Sequence, residues 1–529
     1  MRKALVAISI VLSFYIVFLI NCKGNNQPDA PSVPIGPASG GINTTYRFST
    51  VTVDPEGNDI SYQFDWGNSD TSVWSSFIPS GDSIVRAKFW VSPGSYSIRA
   101  RAKDGRGKIS NWSGAHPIAL TSVWRKTYGG IFDDGGNSVQ PTSNGGYIIA
   151  GMTESYGAGL ADIYLIKTNS GGNTVWTKTF GTWNKNENSY CVEQTTDGGY
   201  IIVGIQIDTI HYYNNYNIYL VRTDANGNDL WTRTFDLSYF DLGLSVEQTA
   251  DGGYIIAGST VTADSAFPKV VLIKTNANGN IVWTRTYDSG TGFGFGNCVQ
   301  QTTDGGYIVV GSTVDTITYF EDVYLIKTDA NGNKLWSETY GGYNSDWANW
   351  VRQTTDGGYI IAGTSESYGA GGADLYLIKT NATGTINWTK SFGGVGQDFG
   401  SSVQQTTDGG YVFCGYTGSF GAGSDDIYLI KTNSNGDSVW SKTYGGAEAD
   451  IGGDVRLTAD GGYIIAGKTY SYGAGEGDVY LIKTDGSGNT AQQSTTSKSI
   501  TKYFDNYQPR STILIEYVKH YRGIKSTIK

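Results

Sequence analysis

The stretch TTDGGYIIAGTSESYGAGGADLYLIKT, residues 354–380, decides how the rest of the chain is organised. It holds no His, no Cys and no catalytic pair, yet close copies of it occur seven times. A residue present in every copy serves every copy, so its default role is structural. The "GGY" tyrosines fall at Tyr147, Tyr200, Tyr254, Tyr307, Tyr359, Tyr411 and Tyr463. Strands of the "YLIK" type end at Lys167, Arg222, Lys274, Lys327, Lys379, Lys431 and Lys483. Tryptophans follow the same period, at Trp124, Trp176, Trp231, Trp283, Trp336, Trp388 and Trp440, 52 to 55 residues apart.

Each unit predicts four strands: a ("SVQQT"), b ("YIIAG"), c ("DIYLIKT") and d ("LWSKTY"). The turns "TDGG" and "DANGN" supply Gly and Asn for positive φ, as hairpins require. Four-stranded units of this length predict propeller blades. The ends of the array strengthen that expectation. The seventh unit stops after strand c ("DVYLIKT", 478–484), while an orphan d strand, "VWRKTY" at 123–128, precedes the first unit. Pairing the two would complete blade seven and remove an exposed edge. The expected fold is therefore all-β, with a seven-bladed β-propeller over 123–489 closed by its N-terminal d strand.

The segment "LIKTDANGNKLWSETY" (325–340) resembles the tryptophan-docking repeat of quinoprotein-type propellers, with a shorter Asp-to-Gly spacing. The resemblance implies the fold more than the cofactor. The chain as a whole resembles exported repeat-propeller proteins of bacteria.

Before the repeats, residues 41–120 alternate apolar and polar residues in short runs such as "ISYQFDW" and "SIVRAKFWV". "GSYSIRARAKDGRGKISNWS" resembles the end of a fibronectin type III domain, and "DPEGNDISYQFDWGNSD" resembles a PKD domain. Either family implies an immunoglobulin-like β-sandwich used as a spacer. Residues 23–40 are rich in Pro, Gly, Asn and Ser and predict a linker. Residues 490–529 are expected to form a basic tail of net charge +5 beyond the last repeat, the alternatives being a disordered arm, a short surface helix or a sorting signal.

At the N-terminus, Arg2 and Lys3 precede an uncharged run from Ala4 to Ile20 and then "LINC". This resembles a bacterial lipoprotein signal over residues 1–22, with Asn21 where that family has a small residue, and implies lipidation at Cys22. Ordinary cleavage and an uncleaved anchor are the alternatives. All three place the body outside the cytoplasm, at the cell envelope when lipidated. Cys191 and Cys298 occupy the same place in two non-adjacent repeats, too far apart for a disulfide, so buried free thiols are expected.

The chain has 529 residues and a formal charge of −10, which becomes −15 without the tail. An acidic body offers no face for phosphates, so nucleic acid is not an expected partner. Only three His are present, at 116, 211 and 520, and no nucleophile elbow, HExxH or phosphate loop occurs.

Departures from the repeat mark the candidate site. Blades one, five, six and seven carry "SYGAG" or "SFGAG" between strands b and c, whereas blades two, three and four carry "IDTIHYYNNYN", "TADSAFPK" and "DTITYFED". The d–a loops on the same face add "LSYFDLG", "GTGFGFG" and "YNSDWANW". Tyr212, Tyr213, Tyr216, Tyr319, Phe320, Trp347 and Trp350 are the candidate ligand-binding residues, offering flat surfaces to a glycan or a protein partner. The alternative is that these loops drifted and their aromatics pack locally. Acids also recur on this face: Asp162, Asp322, Asp374, Asp426 and Asp478 before strand c, and Asp134, Asp346, Asp398 and Asp450 in the d–a loops. Carboxylates from neighbouring loops suit Ca²⁺, but no D-x-D-x-D-G spacing occurs and loop capping is the preferred role. No cofactor and a monomer are expected. The function expected is non-catalytic binding or scaffolding. A carbohydrate-active enzyme with channel acids, and a purely structural surface protein, are the alternatives.

Overall fold

A computed structural model describes residues 24–42, 45–121, 123–208, 215–262, 267–290, 292–315 and 320–491. Every helix or strand among them is a β-strand, and the chain divides into two units after Val123.

In the first unit, Ser39–Gly41, His116–Thr121, Gly94–Asp104 and Ile60–Asp65 form one sheet in that order, and Thr45–Thr50 pairs with Ile84–Phe89 in another. Both sheets bury side chains in one core around Phe48, Tyr62, Phe64, Trp66, Trp90 and Ile98. Trp66 and Trp90 meet edge to face at 6.0 Å, the preferred arrangement of ring quadrupoles. The "DPEGND" turn is fixed by Asp54, whose Oδ1 accepts the N–H groups of Glu56 and Asn58, each at 3.0 Å.

Among the described residues the second unit has seven four-stranded antiparallel sheets, numbered along the chain: sheet 1 runs from Asp134 to Phe180, sheet 2 from Lys185 to Phe235, sheet 3 from Asp241 to Tyr287, sheet 4 from Gly292 to Tyr340, sheet 5 from Asp346 to Phe392, sheet 6 from Asp398 to Tyr444, and sheet 7 takes Asp450 to Thr484 with Trp124–Tyr128. Sheet 5 shows the pattern: strand a is Asp346–Gln353, b is Tyr359–Ser365, c is Asp374–Thr380 and d is Ile386–Phe392, adjacent in that order. Strands b and c are buried along their whole length, while d is largely exposed. Unbroken burial means both faces of b and c are covered, which explains their continuous apolar runs. The Gly of "YIIAG" is required sterically: a Cβ on Gly363 would run into the Trp347 carbonyl across the a–b pair. Gly357 in the "TDGG" turn has φ 81°, which L-residues adopt at a cost.

The recurrent lysine also has a defined job. Lys379 is buried and its Nζ reaches Asp356 of the "TDGG" turn at 2.9 Å and the Thr380 carbonyl at 2.8 Å. Burial alone would raise the Asp356 carboxyl, yet hydrogen bonds from Thr354, Lys379 and the Gly358 N–H hold it at about 2. Lys274, Lys327, Lys431 and Lys483 make the same pair, and in the second sheet Arg222 takes the place of the Lys, its Nη2 donating to both oxygens of Asp197.

Neighbouring sheets are joined by the tryptophans. Trp336 of sheet 4 meets Tyr359 of sheet 5 at 6.0 Å and lies against Gly384 in the next c–d turn, where a Cβ would collide with its ring. Tyr340, at the end of the same strand, donates its hydroxyl to the Gly384 carbonyl at 2.5 Å. The Trp–Tyr contact recurs at 5.8–6.0 Å in all seven tryptophans of the series. Sheet 7 is built from both ends of the unit: Asp450–Leu457, Tyr463–Thr469 and Asp478–Thr484 are followed by Trp124–Tyr128, which pairs antiparallel with Asp478–Thr484. Trp124 then packs on Tyr147 of sheet 1 at 5.8 Å. Between these two sheets Val139 N–H donates to Asp454 at 3.1 Å, and buried Lys468 pairs with Asp133.

Candidate functional site

The loops joining b to c and d to a are set by buried carboxylates. Asp346, at the start of strand a, accepts the Gly342 N–H at 2.8 Å and the Ser367 hydroxyl at 2.7 Å. Asp374, at the start of strand c, accepts the Ala370 N–H at 2.8 Å. Tyr368 donates to the Gly341 carbonyl at 2.8 Å and stacks on Tyr376. Every residue of "SYGAG" therefore serves the frame: Ser and Ala bind the two acids, Tyr clamps the preceding loop, and Gly369 and Gly371 take positive φ of 135° and 116°. Equivalent bonds occur at Asp134, Asp398 and Asp450 and at Asp162, Asp426 and Asp478. Burial raises the carboxyls of Asp134, Asp162, Asp374 and Asp426, and takes Asp450 to about 6 against the hydrogen bonds of Thr469, Ser471 and Gly446. Among the described residues no three His, Cys, Asp or Glu side chains gather closely enough to hold a metal ion.

These capped loops present apolar tips. The third residue after each strand-d aromatic is Ile131, Trp183, Tyr343 or Val395 at four junctions, and their exposures are 69%, 76%, 95% and 90%. Tyr239 adds a tip after sheet 2 and Phe320 one in the b–c loop of sheet 4, both exposed.

The sequence-derived candidates fall differently. Tyr212, Tyr213 and Tyr319, like Cys22, lie outside the described residues. Phe320 is exposed as expected. Tyr216 is half-buried and packs on Phe240 at 5.4 Å. Trp347 and Trp350 are not in a loop. Both belong to strand a of sheet 5 and are buried, because Asp346 caps the loop and begins the strand one residue earlier. Trp347 packs on Phe399. A register shift between Ala348 and Trp350 re-aims Trp350 into a cavity. Trp183 and Tyr343 are the tips that the sequence did not single out.

That cavity, of about 190 Å³, takes residues from strand a of sheets 1, 2, 3, 4, 5 and 7. Each strand a carries a central Val, and the residue after it is Gln140, Glu193, Glu247, Gln300, Arg352, Gln404 and Arg456 in turn. Four of these make the same stitch, a side-chain oxygen accepting a backbone N–H of the next sheet. Gln140 takes that of Gln194 at 3.1 Å, Glu193 that of Gln248 at 2.5 Å, Glu247 that of Gln301 at 3.1 Å and Gln300 that of Gln353 at 2.7 Å. The following Gln stitches backwards: Gln353 accepts the Thr303 N–H at 3.0 Å.

Opposite charges line the cavity. Burial, reinforced by the Glu247 charge, pushes Glu193 up to about 7, while the Gln248 N–H and the two arginines pull the other way. Burial also raises Glu247, with Arg352 the main opposing charge. Arg352 and Arg456 each place the guanidinium carbon 4.6 Å from the Trp350 ring centroid. Arg456 is paired with Asp454 at 3.1 Å and donates to the Val139 carbonyl. Arg352 donates to the Val351 carbonyl and to the Cys298 sulfur, and among the described residues it reaches no carboxylate within 4 Å. Cys191, Cys298 and Cys414 are buried free thiols.

No protein-family model matches the chain. No curated protein matches it. Among solved structures it is similar to the PKD domain of an M14-like peptidase from a Thermoplasmatales archaeon, 34% identical over 18% of this chain and 98% of that one, with a TM-score of 0.18. It is also similar to the extracellular domain of a putative hybrid two-component system from B. thetaiotaomicron, 10% identical over 88% of this chain, with a TM-score of 0.41. The chain spans only 56% of that ectodomain. A second B. thetaiotaomicron extracellular domain, of a putative one-component system, is 10% identical over 86% of this chain and 66% of its own, with a TM-score of 0.24.

Proposed function

We propose that the protein is exported, anchored by lipid at Cys22, and binds glycans without catalysis on the loop face of a closed seven-bladed propeller carried on an immunoglobulin-like spacer. Export rests on the N-terminal Arg2, Lys3 and the uncharged run that follows. Ring closure is supported by the strand Trp124–Tyr128 in sheet 7 and by the Trp124–Tyr147 contact, which repeats the other six. The observation that carries the binding role is the set of exposed tips on carboxylate-capped loops, Trp183 and Tyr343 above all. An aromatic ring held on a fixed loop offers a flat apolar face to a sugar ring at little entropic cost. The reading needs no metal or cofactor.

A glycan array followed by titration tests it. Trp183→Ala and Tyr343→Ala are each expected to weaken binding at least about tenfold, roughly 1.4 kcal/mol. Absence of any glycan ligand would sink the reading. Hydrolysis of a polysaccharide, lost in Glu193→Gln, would replace binding by catalysis in the channel.

A further inference from the structure

We propose that the cavity between the first strands of the sheets binds a small zwitterion, a molecule carrying one carboxylate and one ammonium group, as an amino acid does. The repeats act as an internal control. Gln140 and Gln300 hold the position after the central Val and make the inter-sheet stitch with a neutral side chain. The fold therefore does not need a charge there. Yet sheets 2 and 3 carry Glu193 and Glu247, and sheets 5 and 7 carry Arg352 and Arg456. Burying a charge is costly unless it is paired. Four charged substitutions at a position that Gln satisfies call for a reason other than folding.

Their pairing indicates what is missing. Arg456 is neutralised by Asp454. Arg352 has no carboxylate within 4 Å among the described residues, and its flat fork suits a carboxylate. Glu193 and Glu247 each use one oxygen on a backbone N–H, and both line the cavity. Two adjacent carboxylates are the natural seat of an ammonium group, while the Trp350 ring is already covered by the Arg352 and Arg456 guanidinium groups on the side that would receive a carboxylate. Trp350 itself departs from the Ser or Cys that precedes the central Val at Ser138, Cys191, Ser245, Cys298 and Ser402. The volume of about 190 Å³ is far above the ~10–15 Å³ that one water needs and below the ~300–1,000 Å³ of pockets for drug-sized ligands. This site is separate from the loop tips, so the two proposals stand or fall separately.

Calorimetric titration of the full chain with L-alanine, L-lysine, propionate and propylamine tests the proposal. At least one amino acid is expected to bind, with both singly charged probes weaker by at least about tenfold. Arg352→Gln and Glu193→Gln/Glu247→Gln should each reduce amino-acid affinity at least about tenfold, whereas Trp183→Ala should leave it unchanged. The triple variant E193Q/E247Q/R352Q should keep the wild-type circular dichroism spectrum and melt no earlier. The proposal is overturned if neither amino acid gives heat at millimolar concentration, if propionate or propylamine binds as tightly, or if the triple variant still binds. Unfolding of the triple variant would also overturn it, since the charges would then belong to the frame.

Discussion

Two layers of the second unit obey opposite rules. In the outer layer, a Trp of strand d meets the "GGY" Tyr of the next sheet seven times without exception, at 5.8–6.0 Å. In the inner layer, the residue after the central Val changes from Gln to Glu to Arg around the unit. Both layers tie sheet to sheet. The outer one does so through area and shape, for which one residue type is best, and large-to-small change leaves a void. The inner one does so at four of its seven positions, through a single acceptor oxygen that Gln and Glu supply equally. Freedom to vary is therefore greatest where the frame asks least, and half-buried charge accumulates there.

Breaking the outer layer should have the largest effect. Trp336→Ala and Trp124→Ala are each expected to cost about 3–5 kcal/mol by chemical denaturation, since each removes a large ring from between two sheets. The two values should agree within about 1 kcal/mol. A Trp124 variant as stable as wild type would show that sheets 7 and 1 are not joined as the others are, and the ring would have to be abandoned.

Changes in the inner layer should be smaller and depend on pH. Burial, reinforced by the Glu247 charge, holds Glu193 at about 7 in the folded chain, above its ordinary range, against the Gln248 N–H, Arg352 and Arg456. Its carboxyl is protonated in the folded state and ionised in the unfolded state between about 4.5 and 7. Stability on its account is thus full below about pH 4.5, falls as pH rises to about 7, and is flat above. Glu193→Gln should remove that slope and stabilise the chain above pH 7 by at most about 3 kcal/mol. Denaturation midpoints at pH 5 and pH 8 measure it; an unchanged wild-type slope in the variant would mean Glu193 is not the group responsible. The smallest effect belongs to the exposed tips. Trp183→Ala should change stability by less than about 0.5 kcal/mol while affecting glycan binding. A larger loss would mean that the tip is part of the frame.

The frame was legible in sequence because repetition exposes it. The period, the four strands per unit and the unpaired "VWRKTY" strand could be counted, and the last of these is seen paired with Asp478–Thr484. The partner of the recurrent Lys could not be chosen, because Lys379 and Asp356 lie 23 positions apart and meet only once strands b and c pair. Trp347 and Trp350 read as loop residues in the sequence because nothing in "YNSDWANW" announces a capped strand start or a bulge. The inner charges did leave a signal: seven strands aligned on the central Val display Gln, Glu, Glu, Gln, Arg, Gln and Arg in one column. Repetition draws attention to what is constant, and this column is informative because it is not.

The last sheet also sets an order of events. Arg125 and Tyr480 are neighbours across a strand pair although 355 positions separate them. At ~5–20 residues per second, ribosomal synthesis needs roughly 20–70 s between the two. Throughout that interval Trp124–Tyr128 has no partner, and sheet 1 has no sheet 7 to pack against. The final pairing is a contact of very high sequence separation, the slowest kind to form. A chain arranged this way completes its last sheet only when nearly all of it has been made, although its other six sheets are built from strands that follow one another in sequence.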